Sequence, residues 1–383
     1  MGLIERLTAD GPKRILALDG GGLRGCIAVG FLERIEGILR RRYAKPDLVL
    51  RDYFDLIGGT STGSLIAGIL ITGKSVAELK EIYVGMGRGV FGKLTWRQYR
   101  NKYDDTPLSE VIGVAVGDVE LCDPSITCGL CIVAKRADTE STWPILNHPH
   151  GKYFDHNKHI LLGDAIRASG AAPSYFEPKV LDVGLGEAAA FVDGGVSMAN
   201  NPALQLFLVA TLEGFPYHWP TGEDQMLITS LGTGNYKKEH DIHDVETAKL
   251  WEVAKHVPDM LIEDGSWMAQ LMLQYLSRSP LAETIDSEIG DLRNDLLTPE
   301  PMFTYLRYNV WLEQEVLEEL GLEELVPKLD RLREMDNSET TEDLYEIGRR
   351  AAERQVEEGH FAECFDLPTD TGPPKEGQPE GLA

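Results

Sequence analysis

The sequence predicts an α/β fold with a mainly parallel central sheet. A β-type run at residues 14–18 enters a glycine cluster, and residues 26–42 follow with apolar side chains at helical spacing. The same pattern returns with a β-type run at 53–57, a glycine turn at 58–63 and an apolar helix at 64–71. Strands that alternate with helices in this way are typical of parallel sheets.

Further elements are predicted in chain order. Strands are predicted at 126–134, 142–146 and 226–231, and helices at 163–169 and 201–213. From about residue 245 the pattern is mainly helical, with one strand at 302–308 and Leu- and Glu-rich helices from 313 to about 358. We find no repeat of a period that would indicate a solenoid.

The composition favours one large domain in a reducing compartment. The 383 residues carry 37 basic and 62 acidic side chains, a formal net charge of −25. This negative charge disfavours a role on DNA or RNA, and it disfavours standing adhesion to anionic membranes. Five cysteines, an odd number, are a poor basis for a disulfide framework and fit the cytoplasm.

The N-terminal residues predict neither an export signal nor a lipid anchor. Glu5 and Asp10 interrupt the place where an apolar signal core would stand, and Arg6 breaks a myristoylation pattern. The most apolar run, residues 65–72, is far shorter than the roughly 20 residues that a membrane span needs. We therefore expect any contact with lipid to be peripheral.

Ser61 stands at the apex of a GxSxG pattern, between a predicted strand and a predicted helix. In such a nucleophile elbow a sharp turn lifts the serine hydroxyl clear, while Gly59 and Gly63 let strand and helix approach closely. The helix N-terminus favours developing negative charge. The alternative is a small-residue turn in which Ser61 only caps the helix.

A second glycine cluster, DGGGLRG at residues 19–25, also lies between a strand and a helix. Its small residues can turn several backbone N–H groups toward one anion, so the loop is a candidate oxyanion hole. Gly20, Gly22 and Gly25 also match the GxGxxG dinucleotide fingerprint, and this is the alternative. That alternative leaves Ser61 unexplained, and Asp52 or Asp55 lies beside the second glycine turn rather than at a ribose position.

Asp193 ends an apolar run and enters a glycine turn, where its carboxylate could meet the serine. An Asp-Gly-Gly sequence is also a common structural turn. Serine hydrolases usually use histidine as the base, and the nine histidines stand at positions 148, 150, 156, 159, 218, 240, 243, 256 and 360. None lies in a convincing catalytic motif, and we expect those at 148, 150, 240 and 243 to be solvated loop residues.

The cysteines are predicted to be core residues rather than metal ligands. Cys128 and Cys131 form a CxxC pair with Cys122 nearby, but the pair falls within a β-type run and lacks a convincing fourth ligand. No metal site is predicted.

Together, the three motifs resemble the patatin-like phospholipases, which carry a DGGGxRG loop, a GxSxG elbow and a DGG turn in this order. The resemblance extends to ASGAAPSYF at 168–176 and SLGTG at 230–234, and it covers roughly residues 14 to 310. It implies a patatin-like three-layer α/β/α fold with a mainly parallel central sheet and additional C-terminal helices.

The resemblance also implies roles for individual residues. Ser61 attacks the acyl ester, and Asp193 is the general base in a dyad without histidine. The oxyanion is bound by Gly20, Gly21, Gly22 and the backbone of Arg24. The motif is supported by Gly59, Gly63, Gly194 and Gly195. For the Arg24 side chain we favour bracing of the loop over a direct role with anionic charge.

The implied activity is that of a lipid acyl hydrolase of the phospholipase A type. Ser61 forms an acyl-enzyme, lysolipid or another alcohol departs, and water releases the fatty acid. A carboxylate near the reference pKa of about 4 is a weak base, so oxyanion donors and orientation must supply much of the rate. The scheme requires neither metal nor organic cofactor.

The implied partners are a membrane phospholipid substrate and, transiently, the membrane surface; a nucleic-acid polymer is not expected. Some bacterial members of the family are cytoplasmic antiphage effectors switched on by a cyclic nucleotide, and this chain looks compatible with that subgroup, so a cyclic dinucleotide activator is an open expectation. A homo-oligomer is also left open. The alternatives are an unregulated housekeeping lipase and, with less support, a dinucleotide-binding protein or an idle storage or scaffold protein.

Four regions are expected along the chain. Residues 1–13 are a lead-in, 14–310 the catalytic domain, 311–365 a helical segment packed on it and 366–383 a disordered tail. The apolar side chains after residue 245 are interpreted as core packing rather than an acyl channel; they are Trp251, Trp267, Met268, Met272 and Leu276.

Overall fold

An eight-stranded mixed sheet lies at the centre of the computed structural model, which describes residues 2–90, 103–184, 186–238 and 241–368. The strands are β1 Lys13–Leu18, β2 Leu56–Thr60, β3 Gly129–Arg136, β4 Ser141–Leu146, β5 Lys179–Asp182, β6 Ala188–Asp193, β7 Met226–Leu231 and β8 Thr304–Tyr308. Their order is β5-β6-β3-β2-β1-β7-β8, with β4 paired to β3. The five strands from β3 to β8 in this order run parallel, whereas β4 and β6 run antiparallel to β3.

Helices cover both faces of this sheet. They are α1 Leu3–Thr8, α2 Gly25–Arg42, α3 Leu50–Tyr53, α4 Thr62–Ile71, α5 Val76–Val90, α6 Thr106–Val116, α7 Phe154–Asn157, α8 Leu162–Ser169, α9 Ala203–Thr211, α10 Ile242–Thr247, α11 Leu250–Leu276, α12 Gln314–Glu319, α13 Leu329–Arg333 and α14 Thr341–Gln355. Among the described residues, no helix combines the length and the apolar character that crossing a membrane requires.

Strand β1 shows how the core divides between the two faces. Leu16 and Leu18 pack into the cluster formed with α2, α4 and α14, whereas Ile15 and Ala17 pack into the cluster formed with α9 and α11. Successive side chains of a strand point to opposite faces, so a strand buried on both sides is apolar throughout. The predicted α/β class and its three layers are confirmed.

The predicted boundaries of β2 are wrong at both ends. The expected strand at 53–57 begins at Leu56, because Tyr53 belongs to α3, and the expected turn at 58–63 contains the end of the strand. Gly58 pairs with β1 on one side and with β3 on the other. A Cβ at Gly58 would lie 2.8 Å from the side chain of Leu206, so the glycine allows close packing within a strand.

Three other predicted elements begin later than expected. The strand expected at 126–134 begins at Gly129, and the strand expected at 302–308 begins at Thr304. The helix expected at 201–213 spans Ala203–Thr211, and the side chain of Asn201 accepts a hydrogen bond from the Ala203 amide at 3.1 Å. Asn201 therefore lies in the turn before the helix, whose N-cap residue is Pro202.

The two ends of the described chain pack on the sheet domain. Helix α14 crosses α2 so closely that Gly30 and Gly348 leave no room for a side chain. In the lead-in, Arg6 of α1 donates to the carboxylate of Asp55 at 3.1 Å. The predicted tail begins at Asp366, whose carboxylate accepts a hydrogen bond from Tyr43 at 2.7 Å, and residues 369–383 lie outside the described part of the chain.

Candidate functional site

Ser61 lies on a sharp turn between β2 and α4. Its φ of 55° and ψ of −121° are rarely adopted by a residue with a side chain. The turn is tight because Gly59 packs onto the backbone of Gly63, and Gly63 packs onto the carbonyl of Leu18 at the end of β1. A Cβ at either glycine would overlap backbone atoms. This strained turn is the backbone geometry of a nucleophile elbow.

Asp193, the last residue of β6, brings its carboxylate to Ser61. The Oγ of Ser61 donates a hydrogen bond of 2.5 Å to Oδ2 of Asp193, and the amide of Gly195 donates one of 2.7 Å to Oδ1. Gly194 packs against the carbonyl of Val133 in β3, where a Cβ would not fit. The glycines of the DGG turn therefore let the carboxylate approach the serine and hold its second oxygen.

The environment of Asp193 favours a base that is stronger than an ordinary aspartate. Burial raises its pKa to about 6, while the hydrogen bonds from Ser61 and Gly195 and the charge of Arg167 act in the opposite direction. Arg167 is fixed by Asp105, to which it donates at 3.1 Å. A carboxylate with a pKa near 6 is still mostly ionised at neutral pH and can accept the serine proton.

The glycine loop at 19–25 faces the same space as Ser61, but only some of its backbone amides already donate a hydrogen bond. The amide of Gly20 donates to the carbonyl of Asn200 at 3.0 Å, and the amide of Arg24 donates to the carbonyl of Gly21 at 3.3 Å. The amides of Gly21 and Gly22 have no hydrogen-bond acceptor within the described part of the chain. Of the four predicted oxyanion donors, two are therefore engaged and two are available.

A buried ion pair fixes the start of this loop. Arg307 of β8 donates to both carboxylate oxygens of Asp19, at 3.0 and 2.7 Å, and to the hydroxyl of Ser230 at 2.8 Å. The hydroxyl of Thr233 donates to the carbonyl of Gly20 at 2.9 Å. The loop is thus held by the carboxyl-terminal ends of β7 and β8.

The Arg24 side chain contacts the segment that follows β7. Its Nη1 donates to the carbonyl of Gly234 at 3.2 Å, and its guanidinium lies 5.5 Å from the centre of the Tyr236 ring. These contacts connect the glycine loop to the loop that follows β7, as expected for a side chain that braces the glycine loop.

Two further residues position the elbow and were missed by sequence reasoning. The Oγ of Ser169 accepts a hydrogen bond of 2.8 Å from the Ser61 amide and donates one of 2.6 Å to the carbonyl of Val133. The hydroxyl of Tyr83 donates to the carbonyl of Gly22 at 2.8 Å and contacts the hydroxyl of Thr62. Ser169 lies within the ASGAAPSYF segment, which was a usable signal, whereas nothing in the sequence marks Tyr83.

Ser61, Asp193 and the glycine loop open into one cavity of about 1120 Å³. The sequence predicted that several apolar residues after position 245 pack in the core. Leu276 is buried in the core, but Trp267 lines the cavity and Met268 is exposed. The side chain of Trp251 lies outside the described ones. No histidine lines the cavity among the residues that the structure describes.

The expectation of solvated histidines is wrong for His148. It is 1% exposed and packs edge-on against Tyr217, with ring centres 4.6 Å apart, and burial lowers its pKa to about 4. His150 and His243 are exposed, although His243 lies in α10 rather than in a loop, and His240 falls outside the described residues.

The cysteines separate into two groups. Cys128 and Cys131 are buried, and burial raises the pKa of each thiol to about 12, as expected for core residues. Cys122 lies apart from them beside Glu120 and His159, and the three possible ligand atoms lie within 4.8 Å of one another. None of these three residues lines the cavity that contains Ser61.

The acidic residues that a dinucleotide site would need are engaged elsewhere. The carboxylate of Asp55 accepts from Arg6 at 3.1 Å and from Arg14 at 2.9 Å, and that of Asp52 accepts the amide of Val49 at 3.1 Å.

Comparison with known proteins connects this site to one family. The model of the family described as patatin-like phospholipase matches residues 16–207. A cGAMP-activated phospholipase of Escherichia coli is 32% identical over 234 residues, which are 59% of this chain and 64% of that protein. A cGAMP-activated phospholipase of Vibrio cholerae is 34% identical over 203 residues, covering 50% of this chain and 55% of that protein.

A plant protein is also similar. Patatin group J-1 of Solanum tuberosum is 28% identical over 253 residues, or 62% of this chain and 64% of that protein. The matched part is less than two thirds of the length of each of these relatives.

Proposed function

The chain belongs to the patatin-like phospholipase family, and we propose that it hydrolyses fatty-acyl esters of membrane phospholipids through a Ser61–Asp193 dyad. The observation that carries this proposal is the 2.5 Å hydrogen bond from the Ser61 hydroxyl to the Asp193 carboxylate, at the wall of the cavity. The nucleophile has a base within reach, as covalent catalysis of acyl transfer requires.

The proposed reaction has two half-reactions. Asp193 takes the hydroxyl proton as Ser61 attacks the ester carbonyl, and the protonated carboxyl then gives that proton to the departing alcohol, which is lysolipid. Water attacks the acyl-enzyme next, with Asp193 accepting its proton and returning it to Ser61. The fatty acid leaves and the dyad is restored.

In this proposal the amides of Gly21 and Gly22 donate hydrogen bonds to the oxyanion of each tetrahedral intermediate, because neither amide donates to another described residue. Backbone donors that are already fixed in place stabilise the developing charge without reorganisation. Gly20 and Arg24 would shape the loop instead. The amide of the residue after a nucleophile commonly joins such a hole, which makes Thr62 the third donor.

Regulation by a cyclic dinucleotide, in antiphage defence, is the second part of the proposal. Its support is the similarity to two relatives named cGAMP-activated phospholipases. The fold adds a physical route, since the amide of Leu23 donates to the carbonyl of Met335 at 2.8 Å. A ligand that moved the segment after α13 would also move the glycine loop.

The remaining parts of the proposal concern organisation and location. Residues 14–310 are the catalytic domain, and 311–365 form a helical segment on its surface. The enzyme acts from the cytoplasm and contacts the membrane surface transiently, and a homo-oligomer remains part of the proposal.

The deciding experiment measures fatty-acid release from mixed phospholipid vesicles by the wild type, Ser61→Ala and Asp193→Asn, each with and without cGAMP. We expect release that requires cGAMP and that both substitutions abolish. Release without any nucleotide would favour the unregulated housekeeping alternative. Release that survives in Ser61→Ala would contradict the dyad.

A further inference from the structure

The residues that line the cavity around Ser61 fall into two groups of different character, and the part of the cavity beside each group is called an arm. Ser61 follows β2, near the middle of the sheet order, so elements on the β3 side and elements on the β7 and β8 side meet at the serine from opposite directions. A substrate held at Ser61 can therefore contact both arms.

The arm on the β3 side is apolar. Helices α4, α6 and α8 pack against one another here, and they contribute Leu65, Leu108, Ile112 and Ile166 to the cavity wall, with Phe176 from the loop that follows α8. Such a surface is suited to an acyl chain, because transfer of methylene groups from water into an apolar environment is favourable.

The arm on the β7 and β8 side is charged, and its cations gather around one ring. The charged groups of Arg24, Lys238 and Arg333 lie 5.5, 5.8 and 5.3 Å from the centre of the Tyr236 ring. Lys237 also lines this arm.

The same arm carries more carboxylates than cations among the described residues. The carboxylates are those of Asp259, Glu263, Glu313, Asp330 and Glu334. Glu263 lies 3.2 Å from Lys238, and Glu313 lies 2.9 Å from Arg333. The arm is therefore of mixed charge with a negative excess.

Arg24 differs from the other cations of this arm. Its Nη1 donates a hydrogen bond to the carbonyl oxygen of Gly234, and its Nε is buried without a partner among the described residues. A guanidinium without a carboxylate partner retains its capacity to bind a phosphate.

We propose that the charged arm is a subsite for a zwitterionic phospholipid headgroup, with the phosphate at Arg24 and the ammonium among the carboxylates, while the acyl chain occupies the apolar arm. This inference rests on the proposed function and names the substrate class of that site. A headgroup with a net negative charge would gain the contact with Arg24 but would be repelled by the excess of carboxylates in this arm. The same repulsion disfavours a cyclic dinucleotide, which carries two phosphates, as an occupant of this arm.

The test uses lysolipids of one acyl chain in mixed micelles with neutral detergent, assayed with and without cGAMP. The three substrates are a monoacylglycerol, a lysophosphatidylcholine and a lysophosphatidylglycerol. We expect kcat/KM for the zwitterionic lysolipid to exceed that for the anionic one by about tenfold, which is 1.4 kcal/mol. In the double variant Glu263→Gln, Asp330→Asn this ratio should fall toward one.

A matched control distinguishes the effect of carboxylates that line the cavity from the effect of the overall negative charge of the protein. Glu319→Gln, Glu324→Gln removes the same charge from exposed residues that do not line the cavity, and the ratio should stay at the wild-type value. Equal rates for the two charged lysolipids, or equal shifts in both double variants, would overturn the headgroup subsite. So would competitive inhibition of lysophosphatidylcholine hydrolysis by cGAMP. Failure to hydrolyse any of the three substrates, together with no fatty-acid release from phospholipid vesicles, would instead overturn the proposed function.

Discussion

Arg307 holds both carboxylate oxygens of Asp19, and this pair connects β8 to the first residue of the glycine loop. The two side chains are 3% and 6% exposed. Removing one member of such a pair leaves the other charge buried and unpaired, which is far more costly than losing a surface pair.

We therefore expect Arg307→Met to lower the free energy of unfolding by about 3–5 kcal/mol, as measured by urea denaturation. The matched control is Arg278→Met, which removes an arginine from the exposed pair with Glu223 at 3.4 Å. That change should cost less than about 1 kcal/mol. Equal effects of the two substitutions would contradict a structural role for the Asp19 pair.

The raised pKa of Asp193 predicts the pH dependence of activity. Protonated Asp193 cannot accept the Ser61 proton, so kcat/KM should rise with pH through about 6 and level off above it. Initial rates on a neutral ester between pH 4.5 and 8.5 provide the measurement. Arg167→Met removes a charge that lowers this pKa, so its profile should shift to higher pH. A rise centred near pH 4 would show that burial does not control the base.

The same shift predicts a pH dependence of stability with a defined sign. The pKa of Asp193 is about 6 in the folded chain and near 3.8 in the unfolded chain. Protonated Asp193 thus contributes stability that is full below pH 4 and is lost as pH rises through about 6. Relative to Asp193→Asn, the wild type should lose about 1–3 kcal/mol between pH 4 and 7.5, as measured by denaturant unfolding. A constant difference across this range would contradict the shift.

Ser169 is expected to act through Ser61 rather than on the substrate. Ser169→Ala leaves the Ser61 amide and the Val133 carbonyl unsatisfied, which should cost about 1–3 kcal/mol of stability. Because the elbow is displaced, kcat should fall by about tenfold with little change in KM. The control is Ser277→Ala, since the buried hydroxyl of Ser277 has no partner among the described residues and its loss should be nearly neutral. Similar losses of kcat in both variants would argue against this positioning role.

Glycine-to-alanine substitutions should separate the elbow from an ordinary helix. At Gly63 a Cβ would overlap the carbonyl of Leu18, so Gly63→Ala should destabilise the fold by about 1–3 kcal/mol or more and abolish activity. Gly113 lies exposed in α6 with open space around it, so Gly113→Ala should stabilise by about 0.5–1 kcal/mol. Thermal unfolding of both variants provides the comparison, and a tolerated Gly63→Ala would argue against a tight turn.

The positions of Ser61 and Asp193 could be predicted because local backbone geometry dictates their neighbours. Glycines are required at 59, 63 and 194 because a Cβ at each of these positions would meet backbone atoms, so the motif itself indicates the close approach. The predicted bounds of β2 were nevertheless wrong, because a glycine within a strand and a glycine within a turn cannot be distinguished in the sequence. Only the pairing of Gly58 with β1 and β3 distinguishes them.

The partners of these residues were harder to predict, because they come from distant segments. Asp19 and Arg307 are separated by 288 positions, and Ser61 and Ser169 by 108. One signal was present in the sequence, since a single arginine within the apolar strand Thr304–Tyr308 must find a buried partner. Its identity depends on the strand order, which periodicity does not specify.

The crossing of α14 over α2 has a consequence for biosynthesis. The ribosome releases α2 before α14, so the surface around Gly30 stays open to water and chaperones until α14 has been synthesised. Because the glycine loop runs directly into α2, docking of α14 buries a helix that begins at this loop. The order of synthesis thus separates the emergence of α2 from the ribosome from its burial by α14.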